Sequence, residues 1–153
     1  MRILVDSNLF LRLAQPAHQH NETARIAVEN VRIRNDDLCI VPQVIYEFWV
    51  VATRPVAENN GLGMTGAQAQ HELGAIRRLF TFLDDEPGIF EEWHRLVIRY
   101  NVQGKPAHDA RIVAAMRRRG IAHILTFNAR HFHRYSEITA ISPDQIIQSP
   151  GAN

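Results

Sequence analysis

Short apolar runs alternate with amphipathic stretches along the chain. The first run, Ile3-Leu4-Val5, is uninterrupted, which is typical of a strand buried on both faces of a parallel sheet. Similar runs recur at residues 38–41, 82–83, 123–127 and 138–141. Between them apolar residues return every three or four positions, which indicates helices that pack on a sheet. The pattern predicts a single three-layer α/β/α domain with a four- to five-stranded, mainly parallel sheet.

Six helices are predicted between these strands. They are a short one that ends before Gln15-Pro16 and longer ones at about residues 21–34, 42–53, 67–81, 87–100 and 106–119. Pro42, Pro87 and Pro106 begin three of them, and proline is favourable there because the first helical residue needs no intrahelical hydrogen bond. In the helix at 87–100, the spacing predicts Phe90 and Trp93 on the buried side.

Length and charge set further limits. The 153 residues are enough for one domain, predicted at 1–147 and followed by a flexible tail at 148–153. The net charge of +1 means that any surface for binding nucleic acid must be local. No segment reaches the ~20 apolar residues of a membrane helix, and Asp6 interrupts the apolar run that a signal peptide would need. Cys39, the one cysteine, is expected to be buried and inert, which suits a cytoplasmic protein.

Three carboxylates occupy positions where a negative charge needs a partner. Asp6 closes the first strand, Glu47 lies on an apolar face of the helix at 42–53, and Asp109 heads an apolar stripe on the last predicted helix. Ligands of open α/β folds bind at the carboxyl ends of the strands, where all three side chains can converge. Carboxylate oxygens suit Mg²⁺ or Mn²⁺, so a shared metal site is predicted.

Each carboxylate also has a simpler explanation. Asp6 would cap the helix that follows it, and Asp109 would complement the dipole at a helix N-terminus. Glu47 would pair with an arginine or face water.

Four short motifs follow one another along the chain. They are ILVDSN at residues 3–8, Pro42 with Glu47 five residues on, HDARIVAA at 108–115, and LTFN at 125–128 followed by Phe132. In this order and spacing they resemble the PIN-domain ribonucleases, and most closely the VapC toxins of toxin–antitoxin pairs, over residues 2–147. The resemblance implies hydrolysis of RNA by metal-activated water, a homodimer, and a small VapB-like antitoxin as partner.

The resemblance also implies roles for individual residues. Asp6, Glu47 and Asp109 would bind Mg²⁺ or Mn²⁺, with the Ser7 hydroxyl close to metal or phosphate. Asn128 stands where many relatives carry a fourth acid; its amide would orient a metal-bound water, and the number of metal ions stays open. His131 also stands where relatives often have aspartate, and it is expected to be a solvated loop residue.

Other residues near the same edge are candidates for contacts with RNA phosphate or for supporting the carboxylates. Basic candidates are His108, Arg111 and Arg130, and polar candidates are Asn8 and Thr126.

Three alternatives bear on function. Gly61-Leu-Gly63-Met-Thr-Gly66 matches a dinucleotide-binding fingerprint, but it lies in a loop and not directly after a strand, so no nucleotide cofactor is expected. A phosphoaspartyl hydrolase or receiver would use Asp6 as the phosphate acceptor, although a haloacid-dehalogenase phosphatase would need aspartate where this chain has Asn8. A non-catalytic RNA- or protein-binding module on the same fold is the third.

Overall fold

A computed structural model describes residues 1–149, and it contains a five-stranded sheet in which every neighbouring pair is parallel. In chain order the strands are β1 (Arg2–Val5), β2 (Asp37–Ile40), β3 (Thr81–Phe82), β4 (His123–Leu125) and β5 (Thr139–Ile141). Their order across the sheet is β3-β2-β1-β4-β5. The predicted α/β class and parallel sheet are confirmed, with five strands.

Seven helices are found in the described part of the chain. They are α1 (Ser7–Leu13), α2 (Asn21–Ile33), α3 (Pro42–Thr53), α4 (Gly66–Leu79), α5 (Ile89–Arg99), α6 (Ala107–Arg118) and α7 (Pro143–Gln148), and a 3₁₀ turn follows β4 at Ala129–Phe132. Six agree with the predicted helices to within a few residues. The sequence prediction missed α7, which begins at a capping box formed by Ser142 and Gln145.

The uninterrupted apolar run at residues 3–5 forms the central strand β1. Ile3, Leu4 and Val5 are at most 1% exposed because β1 has β2 on one side and β4 on the other. The ladder with β4 continues one residue further, since the backbone N–H of Asp6 donates to the Leu125 carbonyl at 3.0 Å. Asp6 is therefore fixed at the carboxyl edge of the sheet.

The sequence analysis predicted Phe90 on the buried side of α5, and this prediction was wrong. Phe90 is 66% exposed, whereas its neighbour Ile89 is buried. The helix begins at Ile89 and not at Pro87, because Gly88 adopts a left-handed conformation with φ of 91° and turns the chain before the first helical residue. Trp93 is half-buried, as expected, and its indole N–H donates to the Ala107 carbonyl at 2.9 Å.

Other expectations concern single segments. Cys39 is buried, and burial raises the pKa of its thiol to about 12, as expected for an inert side chain. The glycines at 61 and 63 lie between α3 and α4, so the strand-to-helix context of a dinucleotide site is missing. Gln148 ends α7, and the remainder of the predicted tail at 150–153 lies outside the described residues. None of the helices in residues 1–149 is long and apolar enough to cross a membrane.

Candidate active site

Asp6 occupies the junction between β1 and α1 and is only 6% exposed. Its backbone is extended, with φ of −77° and ψ of 154°, so it acts as the N-cap of α1. One carboxylate oxygen, Oδ1, accepts from the Ser7 backbone N–H at 2.7 Å. The capping explanation for Asp6 is therefore correct, and it leaves the second oxygen for other partners.

The second oxygen, Oδ2, belongs to a hydrogen-bond network that joins the start of α1 to the segment after β4. Asp6 Oδ2 accepts from Thr126 Oγ1 at 2.6 Å and from Asn8 Nδ2 at 3.0 Å. Thr126 Oγ1 in turn accepts from Asn8 Nδ2 and from the Asn128 backbone N–H, both at 3.0 Å. Asn8 Oδ1 accepts from the Phe127 N–H at 3.2 Å. Thr126 uses both its donor and its acceptor capacity, so its orientation is fully determined.

Glu47 lies on the second turn of α3 and is connected to Asp6 by a single hydroxyl. Its Oε1 accepts from Gln43 Nε2 at 3.0 Å, and its Oε2 accepts from Ser7 Oγ at 3.3 Å. Ser7 Oγ also lies 3.5 Å from Asp6 Oδ1. Because a hydroxyl has one proton, Ser7 can donate to only one of the two carboxylates at a time.

Asp109 lies in the first turn of α6, and it reaches the same edge of the sheet from the second half of the sequence. Its side chain is 26% exposed, and its Oδ2 lies 3.8 Å from His131 Nδ1. His131 belongs to the 3₁₀ turn that follows β4. The side chain of His131 is exposed, which agrees with the expectation of a solvated residue after β4, and the tertiary fold also brings its imidazole beside Asp109.

The pKa values show that the three carboxylates form one electrostatic unit. Burial raises the pKa of Asp6 to about 6, and the charge of Glu47 contributes to the rise. Burial also raises the pKa of Glu47, with a further contribution from Asp109, and it raises the pKa of Asp109 with a contribution from Asp6. Each carboxylate thus makes another one harder to ionise.

The charge of Lys105 lowers the pKa of Asp109, but no lysine or arginine in the described part of the chain forms a salt bridge with any of the three carboxylates. Within residues 1–149, neither Asp6 nor Glu47 takes part in a salt bridge, and the only one formed by Asp109 is with His131. Their hydrogen-bond donors are neutral groups of Ser7, Asn8, Gln43 and Thr126. The chemistry of this set, carboxylate oxygens without a salt bridge to lysine or arginine, is of the kind that suits a hard divalent cation such as Mg²⁺ or Mn²⁺.

The side chains do not form a compact set of ligands. In the described residues, no group of three or more His, Cys, Asp or Glu side chains is arranged closely enough to hold a metal ion. The carboxylates are near enough to shift one another's pKa, but in their present positions they do not surround a single ion.

The remaining predicted residues are placed less centrally. Arg111 is directed to Asp85 in the loop after β3, with Nη2 to Oδ2 at 2.8 Å, so it is neutralised there. The side chains of Asn128, Arg130 and His108 are exposed. His108 precedes Asp109 on α6 and contributes to lowering the pKa of both Glu47 and Asp109.

One residue of the site escaped the sequence prediction. Gln43 donates to Glu47 from one turn earlier on α3, and a helical spacing of four residues was a usable signal for it. For His131 the sequence pattern indicated only its place after the fourth strand, and its approach to Asp109 is a feature of the tertiary fold.

Comparison with known proteins adds three findings. The family model described as PIN domain matches residues 3–138. No curated protein matches the sequence significantly. Several solved structures share the fold with a TM-score above 0.6.

Among these structures, one is VapBC2 from Rickettsia felis bound to a DNA fragment from the promoter, with 14% identity, a TM-score of 0.70, and coverage of 93% of this chain and 98% of that chain. A second is VapC20 from Mycobacterium tuberculosis, described as a Sarcin-Ricin loop cleaving toxin, with 18% identity, a TM-score of 0.62, and coverage of 90% and 98%. A third is VapBC-1 from nontypeable Haemophilus influenzae, with 15% identity, a TM-score of 0.66, and coverage of 94% and 99%. At these identities the likeness shows a common fold.

The raised pKa of Asp109 predicts a pH-dependent stability effect. An aspartate whose pKa is raised in the folded state opposes folding when it is ionised, so its cost is present at neutral and higher pH. The cost is lost as the pH falls through the folded pKa towards the ordinary value of 3.8. We expect Asp109→Asn to raise the free energy of unfolding at about pH 8 and to have little effect below about pH 4.

Urea unfolding in the presence of a chelator, at a series of pH values, measures this difference. Glu58→Gln is the matched control, because Glu58 is an exposed acid in the loop between α3 and α4. An Asp109→Asn protein that is less stable than the wild type at about pH 8 would contradict the electrostatic account.

Proposed function

Because the chain belongs to the PIN domain family, we propose that it is a divalent-metal-dependent endoribonuclease, the toxin of a toxin–antitoxin pair, acting in the cytoplasm. The observation that carries this proposal is the unit of three carboxylates at the carboxyl edge of the sheet. Each raises the pKa of another, and neither Asp6 nor Glu47 has a cationic side chain within salt-bridge distance in the described residues. RNA is the proposed substrate because one similar structure is described as a Sarcin-Ricin loop cleaving toxin.

Asp6, Glu47 and Asp109 would hold Mg²⁺ or Mn²⁺. When bound, such a cation neutralises the phosphodiester and lowers the pKa of a water molecule. The protein contributes position: Thr126 and Asn8 keep Asp6 Oδ2 in place, and Gln43 keeps Glu47 turned towards Ser7. The Ser7 hydroxyl, between two carboxylates, can move its one hydrogen bond from one to the other.

The proposed reaction is hydrolysis. The oxygen of water forms a bond to phosphorus, the bond between phosphorus and the 3′ oxygen breaks, and a proton goes to that oxygen. The products carry a 5′-phosphate and a 3′-hydroxyl. A covalent route through Asp6 of the haloacid-dehalogenase type would need aspartate at the position where this chain has Asn8.

The first test is RNA cleavage with added Mg²⁺ or Mn²⁺. We expect the wild type to cut single-stranded RNA, and we expect Asp109→Asn and Glu47→Gln to fall to the level of a blank without enzyme, because each removes one of the three charges that attract the cation. Glu58→Gln should retain full activity. A chelator should abolish cleavage by the wild type.

Other outcomes would decide for a different function. Full activity in both site variants would refute the nuclease assignment. Binding of RNA without cleavage, and without any need for metal, would favour a binding module, and phosphate trapped on Asp6 after treatment with an acyl-phosphate donor would favour a phosphoaspartyl enzyme.

The second test concerns the network around Thr126, which is fully buried. We expect Thr126→Val to lower cleavage by about 10- to 100-fold, because Asp6 loses the donor that orients it. The same change leaves the Asn128 N–H without an acceptor and should cost about 1–2 kcal/mol of stability. Thr126→Ser keeps the hydroxyl, so this variant should retain most of the cleavage activity and most of the stability. Equal loss in the two variants would show that the methyl group, and not the hydroxyl, is what the site needs.

A third test concerns partners. We propose a homodimer and a small VapB-like antitoxin, because two of the similar structures are described as VapBC assemblies. Light scattering of the purified chain should give twice the 17.5 kDa chain mass. The small protein encoded next to this chain should bind it and stop cleavage of RNA. A monomer that no neighbouring gene product inhibits would contradict this part of the proposal.

A further inference from the structure

Three aromatic rings form a row that begins beside the carboxylates. Phe127 directly follows Thr126, and its backbone N–H donates to Asn8 Oδ1 at 3.2 Å, which ties it to the hydrogen-bond network of the candidate site. The centroid of the His20 ring lies 5.2 Å from that of Phe127, and the centroid of the His18 ring lies 5.5 Å from that of His20. Successive rings are inclined by 34° and 35°. This aromatic row leads from the carboxyl edge of the sheet into the loop between α1 and α2.

The loop that carries the two histidines is held by its own hydrogen bonds. The His20 N–H donates to His18 Nδ1 at 3.0 Å, and the His18 N–H donates to the Gln15 carbonyl at 2.9 Å. Asn21 closes the loop, because its Nδ2 donates to the Arg12 carbonyl at 2.8 Å. These bonds orient the rings in the free protein, so a ligand that binds them does not have to order the loop first.

The aromatic row is accessible to a ligand. His20 is exposed, and His18 and Phe127 are half-buried. Because His18 Nδ1 accepts a hydrogen bond, that nitrogen carries no proton. Partial burial lowers the pKa of His18, and the positive charge of Arg12 lowers it further, so this ring is neutral at pH 7. Flat, accessible rings of this kind are the side chains on which unpaired bases stack.

A positive charge lies beside the outer end of the row. Arg12 is in the last turn of α1 and is half-buried. Within residues 1–149 it forms no salt bridge, and its one side-chain hydrogen bond joins Nη1 to Gln15 Oε1, a neutral acceptor, at 3.0 Å. A guanidinium with this environment suits a phosphate. Aromatic rings together with a basic side chain are the combination by which proteins bind single-stranded nucleic acid.

We propose that the aromatic row is a stacking platform for unpaired bases of the RNA strand beside the phosphodiester that is cleaved, and that Arg12 binds a phosphate of the same strand. This inference rests on the proposed function, since it takes RNA as the substrate. Every base has a flat aromatic face, so the platform holds the strand with little preference for sequence. The platform supplies the position of the strand, and the carboxylates supply the chemistry.

The test is binding of a short, unstructured RNA to the whole chain in the presence of a chelator, so that affinity is measured apart from cleavage. We expect His20→Ala to weaken binding about 10-fold, because one stacked base loses its partner, and His20→Phe to restore it. An oligonucleotide of abasic units should bind the wild type and His20→Ala equally. His71→Ala is the matched control, since His71 is an exposed histidine on α4.

Two further variants separate the parts of the platform. His18→Asn removes a ring but keeps a side-chain acceptor for the His20 N–H, so it should weaken RNA binding while the loop stays folded. Arg12→Gln should reduce the slope of log affinity against log salt concentration by about 0.7, which corresponds to one phosphate contact on a single strand. Unfolding curves verify that each variant is folded.

The outcomes separate the inference from the proposed function. Cleavage by the wild type with unchanged RNA affinity in His20→Ala, or with equal losses on RNA and on the abasic strand, overturns the platform and leaves the nuclease assignment intact. Weaker binding of the antitoxin alone in His20→Ala assigns the rings to a protein partner and also overturns the platform. RNA binding that depends on His20, without cleavage in Mg²⁺ or Mn²⁺, supports the platform and refutes the nuclease. A wild-type chain that binds no RNA overturns both.

Discussion

The hydrogen bond from Thr126 Oγ1 to Asp6 Oδ2, at 2.6 Å, is the interaction on which the site depends. It joins the end of the central strand to the residue after β4, and both partners are buried. Asn8 bridges the same two side chains. A carboxylate that accepts one hydrogen bond can still rotate about its side-chain torsion. A carboxylate that accepts hydrogen bonds on both oxygens, as Asp6 does, is held in one orientation. The sheet brings these residues together, and the network then determines where the negative charge is directed.

All the groups that donate hydrogen bonds to Asp6 and Glu47 are neutral. The carboxyl edge of the sheet therefore keeps the negative charge of these side chains. Neutral groups such as Gln43 and Ser7 orient a carboxylate without cancelling its charge. Several arginines are paired with acids away from this edge, for example Arg117 with Glu92 and Arg111 with Asp85. A chain with a net charge of only +1 can therefore have a strongly negative patch at one edge.

Local rules were enough to predict most of the fold. Uninterrupted apolar runs identified the strands, and helical spacing with a leading proline identified α3 to the residue at both ends. The failures came from effects that are not local. Phe90 is exposed because α5 packs on the core through the side that carries Ile89 and Leu96, and this choice of side is made by the tertiary fold. The capping box of Ser142 and Gln145 was a sequence signal for the start of α7, but a helix of six residues has too few apolar positions to show helical periodicity. For the candidate site, strand ends and apolar helix faces pointed to the three carboxylates, whereas the approach of His131 to Asp109 depends on tertiary packing.

The topology has a consequence for the timing of activity. The central strand β1 pairs with β2 on one side and with β4 on the other, and the hydrogen bond that orients Asp6 spans 120 residues. A nascent polypeptide on the ribosome lacks that partner until residue 126 has been translated, so the orientation of Asp6 is completed only after the segment between the two residues has been made. The proposed activity would therefore be absent from shorter nascent chains.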